Sequence, residues 1–290
     1  MAAKIIAQDL LKIYETPHGA VTALQRFNLE VAEGEFVCIV GPSGCGKSTF
    51  LRILAGLEEE SGGTVRIIPG PDPSKPLNNV VFQEYAIFPW KTVIENVAFG
   101  LQMRGVGRRE RLAVAQEWLE RVGLSRFAHY YPHQISGGMK QRVSIARALA
   151  NDPEVLLMDE PLGALDAQTR AVLQEELLRI WDETRKTVVY ITHSIDEAVL
   201  LGDRVVLMTA HPGTNKATFH VPLPRPRTLK SRATEEFRAL TVAIWDSLKD
   251  EVMQAMENQA LENQALETPS QPDPALGNPA PGSSSRENQP

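Results

Sequence analysis

The stretch Gly41-Pro42-Ser43-Gly44-Cys45-Gly46-Lys47-Ser48-Thr49 constrains this chain more than any other. It fits the spacing G-x-x-x-x-G-K-[ST] of a phosphate-binding loop. The apolar run Phe36-Val37-Cys38-Ile39-Val40 precedes it and reads as a buried strand, and Phe50 to Leu57 follows and reads as a helix. Strand, glycine loop and helix together are the context in which such a loop works. Glycines let successive backbone N–H groups turn inward on an anion. The helix start adds about half a positive charge at the same place. Lys47 brings a full charge, expected near the β- and γ-phosphates of a nucleotide, and the Ser48 hydroxyl is placed to hold Mg2+. A glycine-rich turn without a ligand is the competing reading, and the flanking elements argue against it.

The rest of the chain alternates strands and helices. Lys4 to Tyr14 predicts a first strand and Phe27 to Val31 a second with one buried face. Thr64 to Ile68 and Asn79 to Gln83 predict further short strands, separated by a proline-rich loop from Pro69 to Pro76. The texture then turns helical, with one helix over Arg108 to Val122 and another from about Gly137 to Ala150. Strands return at Val155 to Glu160, Val188 to His193 and Val205 to Met208, with a helix from about Ala167 to Arg185. Ser194-Ile195-Asp196-Glu197 has the form of a capping box. This alternation predicts a doubly wound α/β core with a helical insertion.

Length and composition set bounds. A chain of 290 residues suits one large domain, or one domain with an appendage. No run approaches about 18 consecutive apolar residues, so no membrane-spanning helix is expected. The start of the chain has no secretory-signal pattern. The two cysteines, Cys38 and Cys45, argue against a disulfide framework and fit a reducing cytoplasm. A net charge of −6 argues against nucleic acid as a partner. One amphipathic helix is expected after Arg227, over 231–256. The stretch 257–290 contains the repeated pentad Glu-Asn-Gln-Ala-Leu, then mostly Pro, Ser, Gly and Asn, and is expected to be disordered. Cys45 lies where a helix dipole would lower a thiol pKa, so a thiol reagent is expected to block nucleotide binding there.

Two further motifs carry chemistry. Asp159 and Glu160 end an apolar strand, where a carboxylate faces the ligand crevice of an α/β sheet. Asp159 is expected to hold Mg2+, and Glu160 to orient or deprotonate an attacking water. Ser136-Gly137-Gly138-Met139-Lys140-Gln141 opens the second inserted helix and offers bare amides, a second anion site. An ordinary capped helix would look the same. Two phosphate sites in one domain make sense if the second serves a neighbour's nucleotide.

In order, the chain carries the loop at Gly41 to Ser48, Gln83, Ser136 to Gln141, Asp159-Glu160, Ala164-Leu165-Asp166 and His193. Over roughly Lys4 to Arg227 it resembles the ATPase subunit of an ATP-binding cassette (ABC) transporter. The resemblance implies a P-loop NTPase cassette over 1–230: a RecA-like mixed-sheet core, an N-terminal antiparallel β subdomain and a helical subdomain at about 84–152. It implies that Tyr14 stacks on adenine, that Gln83 contacts Mg2+ and the water, and that His193 grips the γ-phosphate. Ser136, Gly137, Gly138 and Gln141 would complete the ATP site of an opposing subunit, and Asp166 would bridge the two sites. A head-to-tail dimer with two ATP at its interface follows. The remaining implied partners are transmembrane permease subunits docking near Phe88 and Trp90, and an extracytoplasmic solute-binding protein. The ATPase would then lie peripherally on the cytoplasmic face of the inner membrane.

Phe88-Pro89-Trp90, Met208 to Gly213 and Pro222 to Arg227 are similar to the importers of nitrate, sulfonates, taurine and bicarbonate, although His211 stands where those usually have Arg. The rival readings are an exporter ATPase, a soluble ABC ATPase acting on nucleic acid or ribosomes, and a small-molecule kinase. A kinase has no need of Ser136-Gly137-Gly138 or of the Asp166 loop.

Overall fold

The computed structural model describes residues 2–17 and 19–267. Of the described residues, those up to 255 form one compact unit, and 256–267 belong to a second. In chain order come β1 (Ala3–Thr16), β2 (Gly19–Ala32), β3 (Phe36–Val40), α1 (Lys47–Leu54), β4 (Gly62–Ile67) and β5 (Asn78–Val81). Four helices follow: α2 (Val93–Val97), α3 (Phe99–Met103), α4 (Arg108–Arg121) and α5 (Gly137–Ala150). The chain then runs through β6 (Val155–Asp159), α6 (Ala167–Thr184), β7 (Thr187–Ile191), α7 (Ile195–Leu201), β8 (Arg204–Met208), β9 (Asn215–His220) and α8 (Glu235–Glu267).

The core is a six-stranded sheet of order β5-β6-β7-β3-β8-β9, parallel except for the antiparallel edge strand β9. Every residue of β3 and β7 is buried, which is why both read as unbroken apolar runs. Each buried Val, Ile or Phe in them contributes about 1.5–3 kcal/mol. A second, antiparallel sheet, β2-β1-β4, is the expected N-terminal β subdomain. Its inner face meets α1 in one apolar core, where the Phe27 and Phe50 rings lie 4.8 Å apart. Helices α5 to α7 cover the other face of the large sheet in a second core. The four helices α2 to α5 are the expected insertion, between β5 and β6.

Three expectations need revision. Strand β1 matches its expected stretch to within two residues, but β2 begins eight residues before Phe27, where its expected stretch starts. Asp9 and Arg26 adopt left-handed backbone (φ 46° and 49°), and the pairing shifts register between Ala7 and Leu10. Such bulges reset which face a side chain points to, so strict alternation breaks and hides the strand. Strand β9 was not foreseen, because an edge strand buries only one weak face. Disorder was expected from residue 257, but α8 runs on to Glu267, through both pentads. Ala, Leu, Glu and Gln favour helix, and no glycine or proline interrupts before Pro269. The remainder of the expected disordered tail, 268–290, lies outside the described residues.

Beyond β9 the chain is stapled to the core by two arginines. Arg227 is buried and donates to the carbonyls of Gly202, Leu223, Val221, Val199 and Leu200, closing the open C-terminal end of α7. Burial lowers its guanidinium to about 10. Arg225 stacks 3.9 Å from the Trp181 ring centre and pairs with Asp203 at 2.7 Å.

Candidate functional site: a nucleotide site at one sheet edge

Strand register assembles the site. Ile39 of β3 pairs with Ile191 of β7, and Ile191 pairs with Asp159 of β6. Val81 of β5 pairs with Met158 of β6. The segments that leave these neighbouring strands therefore emerge at the same edge. They carry Gln83, Asp159 with Glu160, His193, and the loop from Gly41. Residues more than a hundred positions apart in sequence meet here because parallel strands all end on one side.

The loop has the shape a phosphate cradle needs. Gly46 caps α1 in left-handed conformation (φ 96°), and a Cβ there would lie 2.6 Å from the Ala23 carbonyl oxygen. Lys47 is buried, and its Nζ donates to the carbonyls of Gly41 and Pro42 at 2.9 and 2.8 Å. Ser43 and Gly44 are exposed at the loop tip, while Ser48 and Thr49 are half-buried at the start of α1. The Ser48 hydroxyl donates to Asp159 Oδ1 over 3.0 Å. Burial pushes the Asp159 carboxyl up; the Ser48 hydrogen bond opposes this and the Glu160 charge adds to it.

Glu160 has a left-handed backbone (φ 44°). That conformation costs a side-chain-bearing residue about 1–2 kcal/mol and marks functional sites more often than ordinary turns. Its Oε2 lies 3.1 Å from His193 Nδ1. Gln83 reaches the same place: a Cβ on Gly163 would stand 3.6 Å from Gln83 Nε2 and 3.7 Å from Glu160 Oε2. Ser48, Gln83, Asp159, Glu160 and His193 are thus one constellation around the loop. A buried cation, a hydroxyl already touching a carboxylate, and an exposed amide and imidazole fit a nucleotide with Mg2+.

The Ser136 segment stands apart. Ser136 caps α5 by accepting from the Met139 N–H at 3.3 Å. A Cβ on Gly137 would meet the Tyr85 hydroxyl at 2.6 Å, and one on Gly138 would meet Thr169 Cγ2 at 2.5 Å. A side chain at either position would have to displace the Tyr85 ring or the Thr169 methyl of α6. Among the described residues, no hydrogen bond joins Ser136, Gly137 or Gly138 to the loop from Gly41. Asp166 caps α6, accepting from Gln168 N and Thr169 N at 3.1 and 3.0 Å, which holds its carboxyl below the usual range. Tyr14 sits near the end of β1, half-buried, with Lys12 Nζ 4.7 Å from its ring centre.

Two expectations fail on burial. Gln141 is wholly buried, on the inner face of α5 with Ser144 and Ile145, and so presents no atom to a neighbouring subunit. Cys45 is also buried; that burial raises its thiol above the usual value, outweighing the opposing Lys47 charge. It is neither activated nor open to a thiol reagent.

Sequence reasoning missed several residues that build the site. Read as half of a capping box, Glu197 was expected to bond the Ser194 N–H. Its carboxylate instead turns inward and accepts from Thr192 Oγ1 at 2.6 Å and Gln174 Nε2 at 2.9 Å. Gly213, beyond β8, inserts between Ala23 and Gln25 by two backbone hydrogen bonds of 3.0 Å; a Cβ there would lie 2.0 Å from the Cys45 carbonyl oxygen. In the sequence it falls in the stretch Met208 to Gly213, which points to a resemblance and not to a support for the phosphate loop.

Fold and site together define a P-loop nucleoside triphosphatase of the two-sheet, helix-inserted kind. The ABC transporter family model matches residues 24–163. An uncharacterized ABC transporter ATP-binding protein of Methanocaldococcus jannaschii is 49% identical over 261 residues, covering 89% of this chain and 96% of that one. The bicarbonate transport ATP-binding protein CmpD of Synechococcus elongatus is 50% identical over 235 residues, covering 77% of this chain and 82% of that one. The nitrate import ATP-binding protein NrtD of Synechocystis sp. is 44% identical, covering 79% and 89%. Among solved structures, the ATP-binding cassette MJ0796, a dimer in a post-hydrolysis state bound to ADP and Pi, superposes with a TM-score of 0.66 at 35% identity, covering 76% of this chain and all of that one. The chain belongs to the ABC transporter family as an ATP-binding subunit, an ATPase coupled to transport.

Proposed function

We propose that the chain powers an importer for a small anion such as nitrate, a sulfonate, taurine or bicarbonate, by closing a head-to-tail dimer on two ATP molecules. One observation carries the dimer: the nucleotide machinery is divided. Lys47, Ser48, Asp159, Glu160, Gln83 and His193 converge, whereas among the described residues no hydrogen bond joins the exposed Ser136 or the two glycines after it to that group, and Gly138 packs against Thr169 of α6. A second copy supplying Ser136, Gly137 and Gly138 completes each site, with Asp166 near the seam. Tyr14 would stack on the adenine. Ser48, Asp159 and Gln83 would hold Mg2+, which when bound neutralises phosphate charge.

Within the site, Lys47 leaves its two loop carbonyls for the phosphates, and the loop amides bind their oxygens. Glu160 accepts a proton from the attacking water, and His193 fixes that water and the γ-phosphate. Closure is favoured while triphosphate bridges loop and partner helix, and hydrolysis removes the bridge.

The similarity to bicarbonate and nitrate importers supports the anion. Among the described residues no helix is long and apolar enough to cross a membrane. Transport would therefore run through permease subunits, with the ATPase peripheral on the cytoplasmic face and a solute-binding protein outside. Trp90 supports the docking place. It is 71% exposed, while buried Asn96 pins its loop through Phe88 N at 2.7 Å and the Phe88 and Lys91 carbonyls at 3.1 Å. Light scattering with and without Mg-ATP tests the dimer, and uptake of each labelled anion by vesicles holding the whole transporter tests the cargo. A protein that hydrolyses ATP at full rate while strictly monomeric overturns the reading.

A further inference from the structure

The strongest unassigned feature is a buried polar chain behind His193. Arg232 Nη2 donates to Gln174 Oε1 at 2.7 Å. Gln174 Nε2 donates to Glu197 Oε1 at 2.9 Å. Glu197 Oε2 accepts from the Thr192 hydroxyl at 2.6 Å, and Thr192 Oγ1 accepts from the Ser194 N–H at 3.0 Å. Gln174, Glu197 and Thr192 are 2, 4 and 2% exposed. Glu197 also lines a small cavity with Glu160, Gly163 and His193.

The chemistry of the groups gives this chain one direction. A guanidinium only donates, so Arg232 forces the Gln174 amide to turn its oxygen outward and its NH2 toward Glu197. Carboxylate oxygens accept, so Glu197 Oε1 takes the Gln174 NH2 and Oε2 the Thr192 hydroxyl, with the buried Tyr190 hydroxyl also interacting with this carboxylate. With its proton committed, Thr192 Oγ1 offers a lone pair to Ser194 N. That last bond closes a ring across a single residue, His193. Buried chains of this kind gain by mutual polarisation and lose heavily when one member faces the wrong way.

We infer that Glu197 is a positioning residue for His193, and that Arg232, which lies outside the residues matched by the family model, sets the orientation of the relay from its far end. The inference rests on the reading that His193 acts in hydrolysis, but the relay itself can be tested separately. Glu197→Gln places an NH2 where only an acceptor fits: toward Thr192 it competes with the hydroxyl proton, and toward Gln174 it opposes another NH2. Gln174 lies on α6, so that helix, capped by Asp166, is a member of the same unit.

The test uses the full-length chain labelled at histidine, with the His193 imidazole resonance assigned by its loss in His193→Ala. Glu197→Gln is expected to move or broaden that resonance, and Arg232→Met to move it in the same direction by less. Thr192→Val should do the same, and Thr192→Ser, which keeps the hydroxyl, should return it to its place. ATP turnover in Glu197→Gln should fall roughly tenfold to a hundredfold, as misplacement of a reacting group does. The KM for ATP should stay within about twofold, since the loop is untouched. In a His193→Ala background, Glu197→Gln should cost nothing further. An unmoved resonance in both Glu197→Gln and Arg232→Met overturns the relay, as does an undiminished loss of turnover in the His193→Ala background. A moved resonance with unchanged turnover upholds the relay and removes His193 from the hydrolytic reading. Should Glu197→Gln not fold, Arg232→Met and the Thr192 pair decide the matter alone.

Discussion

His193 Nδ1 stands 3.1 Å from Glu160 Oε2, although the two residues follow different strands. The contact exists because β6 and β7 are neighbours in register and both end at the loop edge. The Glu160 N–H donates to the Ile191 carbonyl at 3.0 Å, so the backbone that carries the carboxylate is tied to the strand that leads to the imidazole. Left-handed backbone at Glu160 turns its side chain out of the sheet direction and toward His193. A strained conformation maintained by two strands is a pre-organised one.

Glu160→Gln keeps this geometry and removes the proposed base. Steady-state phosphate release should fall about 10²- to 10⁴-fold, the usual worth of a positioned general base. Nucleotide affinity should change little, and ATP should hold the variant as a dimer. Phosphate release and light scattering on the same preparation check both, and an unchanged turnover removes Glu160 from the chemistry.

Asp159 carries a pH dependence with a definite sign. Its carboxyl is raised by burial, so the folded chain keeps that proton to higher pH than the unfolded chain does. Its contribution to stability is full below the unfolded aspartate value and is lost as pH rises through the folded value. At neutral pH the ionised group is therefore a net cost to the nucleotide-free protein. Asp159→Asn should raise the Tm at pH 7 and leave it nearly unchanged in acid, while abolishing Mg2+-dependent turnover. Thermal melts across pH test this; a lower Tm at pH 7 contradicts it.

Gly138 meets Thr169 so closely that a methyl group cannot fit without movement. Gly138→Ala should disturb the seam between α5 and α6 and lower ATP-driven dimer formation, with a stability cost of about 1–3 kcal/mol from overpacking. Thr169→Ser removes the opposing methyl and should restore most of both in the double variant. If the double variant is no better than Gly138→Ala, the effect lies outside this contact.

Trp90 is exposed and rigidly presented, so it should matter to a partner and little to the fold. Trp90→Ala should shift the Tm by no more than that expected for about 0.5 kcal/mol. Co-purification with the permease should weaken by 2 kcal/mol or roughly thirtyfold if Trp90 is a hot spot. Equal recovery of permease from both proteins places the docking surface elsewhere.

By itself the sequence determined the parts whose chemistry is local. The phosphate loop needs glycines, Lys47 and Ser48 at set offsets, and those offsets are written in consecutive residues. The buried strands β3 and β7 are unbroken apolar runs, and the caps at Ser136 and Ser194 precede their helices directly. Only the tertiary structure decided what depends on distance through space. Burial closed off the Gln141 side chain and the Cys45 thiol, because a helix face or a packed loop is defined by what lies against it. Folding turned Glu197 away from a local cap and into a chain with Gln174 and Arg232, since a carboxylate's partners are chosen by the elements packed around it. The left-handed bulges at Asp9 and Arg26, likewise, are stabilised by cross-strand pairing that no single stretch of residues contains.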